Sequence, residues 1–207
     1  MLGVPGAPNA YYYKPRGKES RVLMYLHGRG GNPARDCAKW ANVGTRFGWV
    51  VCPSGAGQAE DGRRVWGSPG EAKIVIDRTL RALREKYPRK VNQRQNILVG
   101  FSEGAYIAMN VGAQDPATWP RWLILGGSDR YWSTTDDVFD SGRRPSRVYL
   151  LTGEDDGVAR RTLKVASTLR KARVAVRTKI VPGLGHEVPA DQMITTYYGP
   201  LLWLIAK

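Results

Sequence analysis

The chain has 207 residues, 42% of them hydrophobic and 24% charged, which favours one globular domain and excludes a disordered or fibrous protein. Its net charge is +14, but the cations are spread along the chain without an aromatic-interleaved basic motif, so specific nucleic-acid recognition is not expected. No apolar run approaches the roughly 20 residues that span a bilayer, and the two histidines and two cysteines do not have zinc-finger spacing, so a zinc site is not expected.

Short apolar or β-branched runs alternate with amphipathic stretches along the chain. The runs predict buried strands at 22–26, 49–52, 97–101, 122–125, 148–152 and 174–181. The stretches predict helices at 33–47, 71–87, 103–112, 158–172 and 190–206. Such alternation is typical of an α/β fold, with a mostly parallel central sheet and helices on both faces. We expect a single domain over residues 21–207, preceded by an N-terminal extension or edge strand over residues 1–20. The long irregular segment 128–146 is expected to hold a short helix or to cap a site.

Chemically active side chains follow four of the predicted strands. Ser102 directly follows the third run, in "GFSEGA", and "HGRGG" at 27–31 directly follows the first. Asp156, in "TGEDDGV", and His186, in "GLGHE", follow the last two runs within five residues. Because open parallel sheets carry their functional groups at the carboxyl ends of the strands, these residues are predicted to share one rim.

A hydroxyl, an imidazole and a carboxylate together can perform nucleophilic catalysis. A serine hydroxyl needs a base to remove its proton, imidazole titrates near neutrality, and a carboxylate fixes the ring tautomer. Glycines on both sides of Ser102 allow a strained strand-to-helix turn, which also presents the N–H of Glu103 as an oxyanion donor. The second donor is expected from the loop after the first strand, at Arg29, with Gly28 and Gly30 as alternatives.

The motifs "LHGRGG", "GFSEGA", "TGEDDGV" and "GLGHE", in that order, resemble the α/β-hydrolases. More narrowly, they are similar to the small esterase, carboxylesterase and polyhydroxybutyrate-depolymerase-like branches. The resemblance implies a sheet of about eight strands and hydrolysis of small-molecule carboxylic esters without a cofactor. It implies Ser102 as nucleophile, Asp156 as the acid and His186 as the base. Asp155 and Asp129 remain alternatives for the acid.

Other residues near the same rim have weaker assignments. Trp66, Tyr131 and Trp132 are candidates for lining a substrate pocket, although ordinary loop packing explains them nearly as well. His27 is expected to brace the oxyanion loop by hydrogen bonding rather than to react.

The two cysteines bear on the compartment. Cys37 and Cys52 are both predicted at the active rim, within reach of a disulfide. The N-terminus has no basic segment followed by an apolar one, so the chain as written is expected to be cytoplasmic. A disulfide would instead favour a secreted or periplasmic protein.

Two readings compete with an esterase. A thioesterase or peptidase would use the same three side chains, and a substrate panel would distinguish it. A basic binding protein on a hydrolase scaffold would have no turnover at all, because a fold does not fix a function. The oligomeric state is left open by the sequence.

Overall fold

The computed structural model describes residues 1–132 and 144–206. The middle of the irregular segment predicted at 128–146, from 133 to 143, lies outside the described residues. A short 3-10 helix, Asp129–Tyr131, begins the segment. None of the helices in the described part of the chain is long and apolar enough to cross a membrane.

A seven-stranded sheet forms the centre of the molecule. Its strands are β1 Tyr11–Tyr13, β2 Val22–Leu26, β3 Trp49–Cys52, β6 Ile97–Phe101, β7 Arg121–Leu125, β8 Arg147–Gly153 and β9 Ala175–Val181. Their order across the sheet is β1-β3-β2-β6-β7-β8-β9. All neighbours are parallel except β1, which pairs antiparallel with β3 at one edge. A separate hairpin of two short strands, β4 Gly57–Gln58 and β5 Arg64–Val65, was not predicted from the sequence.

Five helices cover the two faces of the sheet: α1 Pro33–Gly44, α2 Pro69–Lys86, α3 Glu103–Gln114, α4 Ala159–Lys171 and α5 Met193–Ile205. The central strands are buried on both faces, so alternate side chains enter two separate cores. Leu23 and Tyr25 of β2 pack in the core under α1 and α5, whereas Met24 and Leu26 pack in the core under α2, α3 and α4. The predicted α/β architecture is therefore confirmed.

The helix ends differ slightly from their predicted positions, for local reasons. Helix α2 begins at Pro69, two residues before the predicted start, because Ser68 and Glu71 form a reciprocal capping box. The last predicted helix opens with a 3-10 turn at Ala190–Gln192, and the α-helix proper begins at Met193. These shifts do not move any residue of the predicted rim.

Cys37 of α1 and Cys52 at the end of β3 form a disulfide, with their Cα atoms 5.6 Å apart. Both side chains are fully buried. The bond links the first helix after the loop at 27–31 to the neighbouring strand, so it fixes one side of the carboxyl rim. The structure thus joins the two cysteines whose pairing the sequence left open.

Candidate active site

Ser102 occupies a strained turn between β6 and α3. Its backbone has φ of 54° and ψ of −118°, in a region that residues with a side chain rarely adopt. A Cβ at Gly100 would collide with the carbonyl of Gly104, and a Cβ at Gly104 would collide with that of Leu26. Only glycine therefore allows the helix to pack this closely against the sheet, and the turn lifts the serine side chain out of the backbone.

The structure brings Ser102, His186 and Asp156 together in one hydrogen-bonded chain. His186 Nε2 lies 2.9 Å from Ser102 Oγ, and His186 Nδ1 lies 2.8 Å from Asp156 Oδ2. A carboxylate only accepts, so Nδ1–H donates to Asp156, which leaves the Nε2 lone pair facing the serine hydroxyl. This tautomer is the one that can take the proton from Ser102.

Asp156 is held in place by contacts that the sequence did not reveal. Its Oδ1 accepts the backbone N–H of Val158 at 2.9 Å, and its Oδ2 accepts the hydroxyl of Thr152 at 3.2 Å. The side chain is 3% exposed, so the carboxylate is fixed and shielded from water. Of the three candidate acids, Asp156 is the one whose carboxylate contacts His186.

The other two candidate acids lie elsewhere. Asp129 forms an ion pair with Arg161 at 3.2 Å, and Asp155 is exposed to solvent. Neither of them contacts the imidazole of His186 in the structure, which pairs with Asp156 alone among the described carboxylates.

Two residues that the sequence analysis missed shape the space around the imidazole. The ring of Phe101 packs on His186 with the ring centroids 4.9 Å apart. Gly126 has φ of 57°, and a Cβ there would come within 2.9 Å of the imidazole carbon Cε1. Gly126 directly follows β7. A glycine at such a position indicates that another group, here the imidazole of His186, passes close to the backbone.

The predicted oxyanion donors lie on facing segments. Within the described chain, the N–H groups of Arg29 and Glu103 make no backbone or side-chain hydrogen bond, whereas the N–H of Gly30 donates to the carbonyl of Arg64 at 2.9 Å. The engaged Gly30 is therefore a poorer candidate than Arg29. The two segments are also joined by an ion pair between Arg29 Nη2 and Glu103 Oε1, at 3.2 Å.

Glu103, the residue after Ser102, carries a partly buried carboxylate. Its side chain is 15% exposed, and its Oε2 is buried without a hydrogen-bond partner in the described structure. Burial raises the pKa of Glu103 above its ordinary value, while the nearby Arg29 charge and the backbone of Trp66 act in the opposite direction. Arg29 therefore supplies the charge that compensates Glu103 at this site.

His27 braces the loop that carries Arg29, as expected from the sequence. Its Nε2 accepts the N–H of Gly55 at 3.1 Å, so its Nδ1–H donates to the carbonyl of Gly28 at 2.8 Å. The ring is fully buried, and burial lowers the pKa of His27 below its ordinary value. A neutral ring satisfies both contacts, so it stabilises the loop.

Two of the three predicted pocket residues do not line the pocket. Trp66 is fully buried, stacks on His27, and donates its indole N–H to the His27 carbonyl at 2.7 Å. Trp132 is buried in the core under α2, α3 and α4. Both predictions were wrong because large apolar rings gain more by burial than by exposure at the rim. The side chain of Tyr131 lies outside the described part of the structure.

A cavity of about 470 Å³ opens over Ser102. Its described lining consists of Arg29, Gly67, Ser102, Glu103, Tyr106, Gly126, Ser128, Val158 and His186. Tyr106, in the first turn of α3, and Ser128, the N-cap of the 3-10 helix after β7, were not among the individual residues predicted to line the pocket. The cavity has the size of a small-molecule site, and its serine and imidazole both face the open space.

Comparisons with known proteins agree on the fold. No protein-family model matches the chain, and no curated protein does. Among solved structures, the chain is similar to esterase PE8, with 20% identity, 99% of each chain covered and a TM-score of 0.74. It is also similar to a carboxylesterase of Bacillus cereus, with 16% identity, 97% of this chain and 94% of that chain covered, and a TM-score of 0.73.

A third similar structure is a highly thermostable carboxyl esterase from Bacillus coagulans, with 14% identity, 94% and 92% coverage, and a TM-score of 0.72. Likeness at these identities shows the fold, which is that of the α/β-hydrolases. The chemistry of this chain must be argued from its own residues, because unrelated functions share this fold.

Proposed function

We propose that this protein is a serine hydrolase that cleaves small-molecule carboxylic esters through an acyl-enzyme. The observation that carries the proposal is the continuous chain from Ser102 Oγ to His186 and Asp156, with links of 2.9 and 2.8 Å. The open cavity above Ser102 gives an ester carbonyl access to the hydroxyl. These are the geometric requirements for a base-activated serine nucleophile.

Acylation begins when Ser102 Oγ attacks the ester carbonyl carbon. His186 Nε2 takes the hydroxyl proton as the new C–O bond forms, and the carbonyl oxygen becomes negatively charged. Collapse of this tetrahedral intermediate breaks the bond to the alkoxy group. His186 returns the proton to that leaving oxygen, so an alcohol departs and an acyl-Ser102 ester remains.

Deacylation repeats the same steps with water. His186 removes a proton from the attacking water, a second tetrahedral intermediate forms, and its collapse expels Ser102 Oγ, which regains the proton. The carboxylic acid is released. Asp156 stays ionised throughout and stabilises the imidazolium that forms twice in each cycle.

The oxyanion is stabilised in both steps by the N–H groups of Glu103 and Arg29. Helix α3 begins at Glu103, so its N-terminal partial positive charge adds to the stabilisation. Losing one such donor typically costs about two to three orders of magnitude in rate. The free state of both N–H groups supports this role.

The similar structures support ester hydrolysis as the reaction class. Those reported above carry the names esterase and carboxylesterase, and a further one is an S-formylglutathione hydrolase from Agrobacterium tumefaciens, with 13% identity and a TM-score of 0.70. The last name concerns a thioester, so a substrate panel should contain matched oxygen and sulfur esters.

The direct test compares wild-type protein with Ser102→Ala on a short p-nitrophenyl ester. We expect turnover to fall by at least about 10⁴-fold, because the nucleophile is lost. Ser167→Ala, an exposed serine on α4, is the matched control and should keep full activity. Ser102→Ala protein that folds normally and retains turnover would refute the proposal, as would a wild-type protein without activity on any ester of the panel.

The disulfide supports an oxidising compartment, secreted or periplasmic, because such bonds persist there and are rare in the cytosol. The finding replaces the cytoplasmic expectation with a proposal that cell fractionation under thiol-blocking conditions tests. Recovery of the protein only in the reducing cytosol, with both thiols free, would contradict it.

A further inference from the structure

A second cavity, of about 480 Å³, lies at the opposite end of the strands from Ser102. We call it the basic cleft; it is formed mainly by Lys14, Lys18, Trp49, Tyr87, Arg89 and Lys90. Trp49 begins β3, and Tyr87 follows the end of α2, so the cleft lies at the amino ends of the parallel strands. The proposed hydrolase mechanism does not use any of these residues.

The charge of the basic cleft is strongly one-sided. Four cationic side chains and one carboxylate, Glu19, belong to its described lining, which leaves an excess of three positive charges (four minus one). Glu19 lies 3.7 Å from Arg21, outside the lining, so its charge is already partly balanced. In the described part of the chain, none of the four cations forms an ion pair with a carboxylate.

An aromatic wall gives the cleft a second property. Tyr87 packs between Tyr12 and Trp49, with ring centroids 5.8 and 4.6 Å away. Lys14 Nζ lies 5.2 Å from the centre of the Tyr87 ring, and Lys86 Nζ lies 5.5 Å from that of Tyr12. The rings hold the ammonium groups in place through cation–π attraction without neutralising them.

Hydrogen bonds between distant segments hold the walls of the cleft. The N–H of Asn92 donates to the carbonyl of Ser20 at 2.7 Å, and the Ser20 hydroxyl donates to Asn92 Oδ1 at 2.6 Å. The indole N–H of Trp49 donates to the carbonyl of Lys90 at 3.0 Å. The cleft is therefore formed before any ligand arrives, which lowers the entropic cost of binding.

We propose that the basic cleft binds the oligophosphate group of a small molecule. Three excess positive charges match a ligand with at least as many negative charges on adjacent groups, which a single carboxylate cannot offer. Lysine and arginine are the side chains that bind phosphate oxygens through charge-assisted hydrogen bonds. A preformed cavity of this volume fits a compact molecule.

The experiment titrates the full-length protein by calorimetry with inorganic triphosphate and, separately, with ATP. Both should bind at one site per chain. Tighter binding of ATP would show that a flat ring contacts the aromatic wall, and equal binding would show that the phosphates alone are recognised. Both results support the site. Absence of saturable binding with either anion would overturn the proposal.

Two triple variants separate a local site from the diffuse charge of the protein. Lys18→Gln/Arg89→Gln/Lys90→Gln removes three cations from the cleft, and we expect triphosphate binding to weaken by at least about tenfold. Lys164→Gln/Arg170→Gln/Lys171→Gln removes the same number and types of cation from the exposed face of α4, and binding should change by less than about twofold.

Equal losses in the two triple variants would mean that the anion follows net charge only, and would contradict a built site. Ester turnover should stay at the wild-type level in both, which reports that each variant is folded. A wild-type protein that binds triphosphate without hydrolysing esters would keep this proposal and refute the proposed function, so the two stand or fall separately.

Discussion

The cavity over Ser102 and the basic cleft have nearly the same volume, about 470 and 480 Å³, and lie at opposite ends of the strands of one sheet. In the cavity over Ser102, Arg29 pairs with Glu103, and the imidazole of His186 is hydrogen-bonded to the Asp156 carboxylate. Among the described residues, Lys18 and Arg89 of the basic cleft form no ion pair with a carboxylate. From this difference we expect the carboxyl ends of the strands to position atoms for a reaction, and the amino ends to offer positive charge that a ligand neutralises.

The largest difference between the two regions should appear on changing Asp156 to Asn. The amide carries no negative charge, and its NH2 group can donate to Nδ1, which favours the wrong imidazole tautomer, so kcat should fall by about 10³- to 10⁴-fold. Asp155→Asn, at the exposed neighbouring position, is the control and should be close to wild type. Triphosphate binding should be unchanged in both. Equal activity losses at the two positions would contradict the assignment of the acid.

The charge pairing of the cavity over Ser102 is tested by Arg29→Met. This change leaves the Glu103 carboxylate uncompensated beside the forming oxyanion, and we expect kcat to fall about tenfold through electrostatic repulsion. The double variant Arg29→Met/Glu103→Gln removes both charges and should recover most of the loss. A double variant as slow as the single one would mean that Arg29 acts by shaping the loop and not by its charge.

Salt should affect the two regions differently. Raising the ionic strength from about 50 to about 300 mM should weaken triphosphate binding at the basic cleft by about tenfold, since exposed uncompensated charges are screened. The KM for a neutral ester should change by less than about twofold over the same range. If KM and the dissociation constant moved in parallel, the contrast between a paired and an unpaired site would be lost.

The smallest effect concerns His27, which supports the oxyanion loop. Burial lowers the pKa of His27 below the ordinary 6.5, so the unfolded chain binds a proton more readily than the folded protein. The stability gained from the neutral ring is therefore fully present above pH 6.5 and is lost as the pH falls toward the folded pKa. Between about pH 7.5 and 5, wild type should lose about 1 kcal/mol more unfolding free energy than His27→Gln.

Urea denaturation of both proteins at the two pH values measures this difference. The two proteins differ only at residue 27, so the difference between them reports on His27. If the unfolding free energy of His27→Gln fell more at acid pH than that of wild type, His27 would be charged in the folded protein. That result would contradict the neutral, doubly hydrogen-bonded ring described above.

The sequence predicted the parts of the molecule that depend on local pattern. The strands at 22–26, 49–52 and 97–101 match because each is a continuous apolar run buried on both faces. Ser102 was recognisable because the glycines that permit its strained turn lie two residues away on each side. The three residues of the hydrogen-bonded chain could be predicted at one rim because each lies within five residues after a strand end.

Features that depend on packing between distant segments were not predictable. Trp66 lies near the rim in sequence, yet it turns inward onto His27, and no local pattern separates that outcome from an exposed ring. Thr152 supports Asp156 only through tertiary contact. The basic cleft joins the segment at 14–20 to the one at 87–90, so its charge becomes visible only when the chain is folded.

The most direct test of the central claim is labelling with a fluorophosphonate, followed by peptide mass spectrometry. The reagent forms a stable bond only with a serine whose hydroxyl is activated by a base. We predict one phosphonylated residue, Ser102, with labelling strongly reduced in His186→Ala. Absence of the adduct at Ser102, or equal labelling in His186→Ala, would contradict the claim that these two side chains act as nucleophile and base.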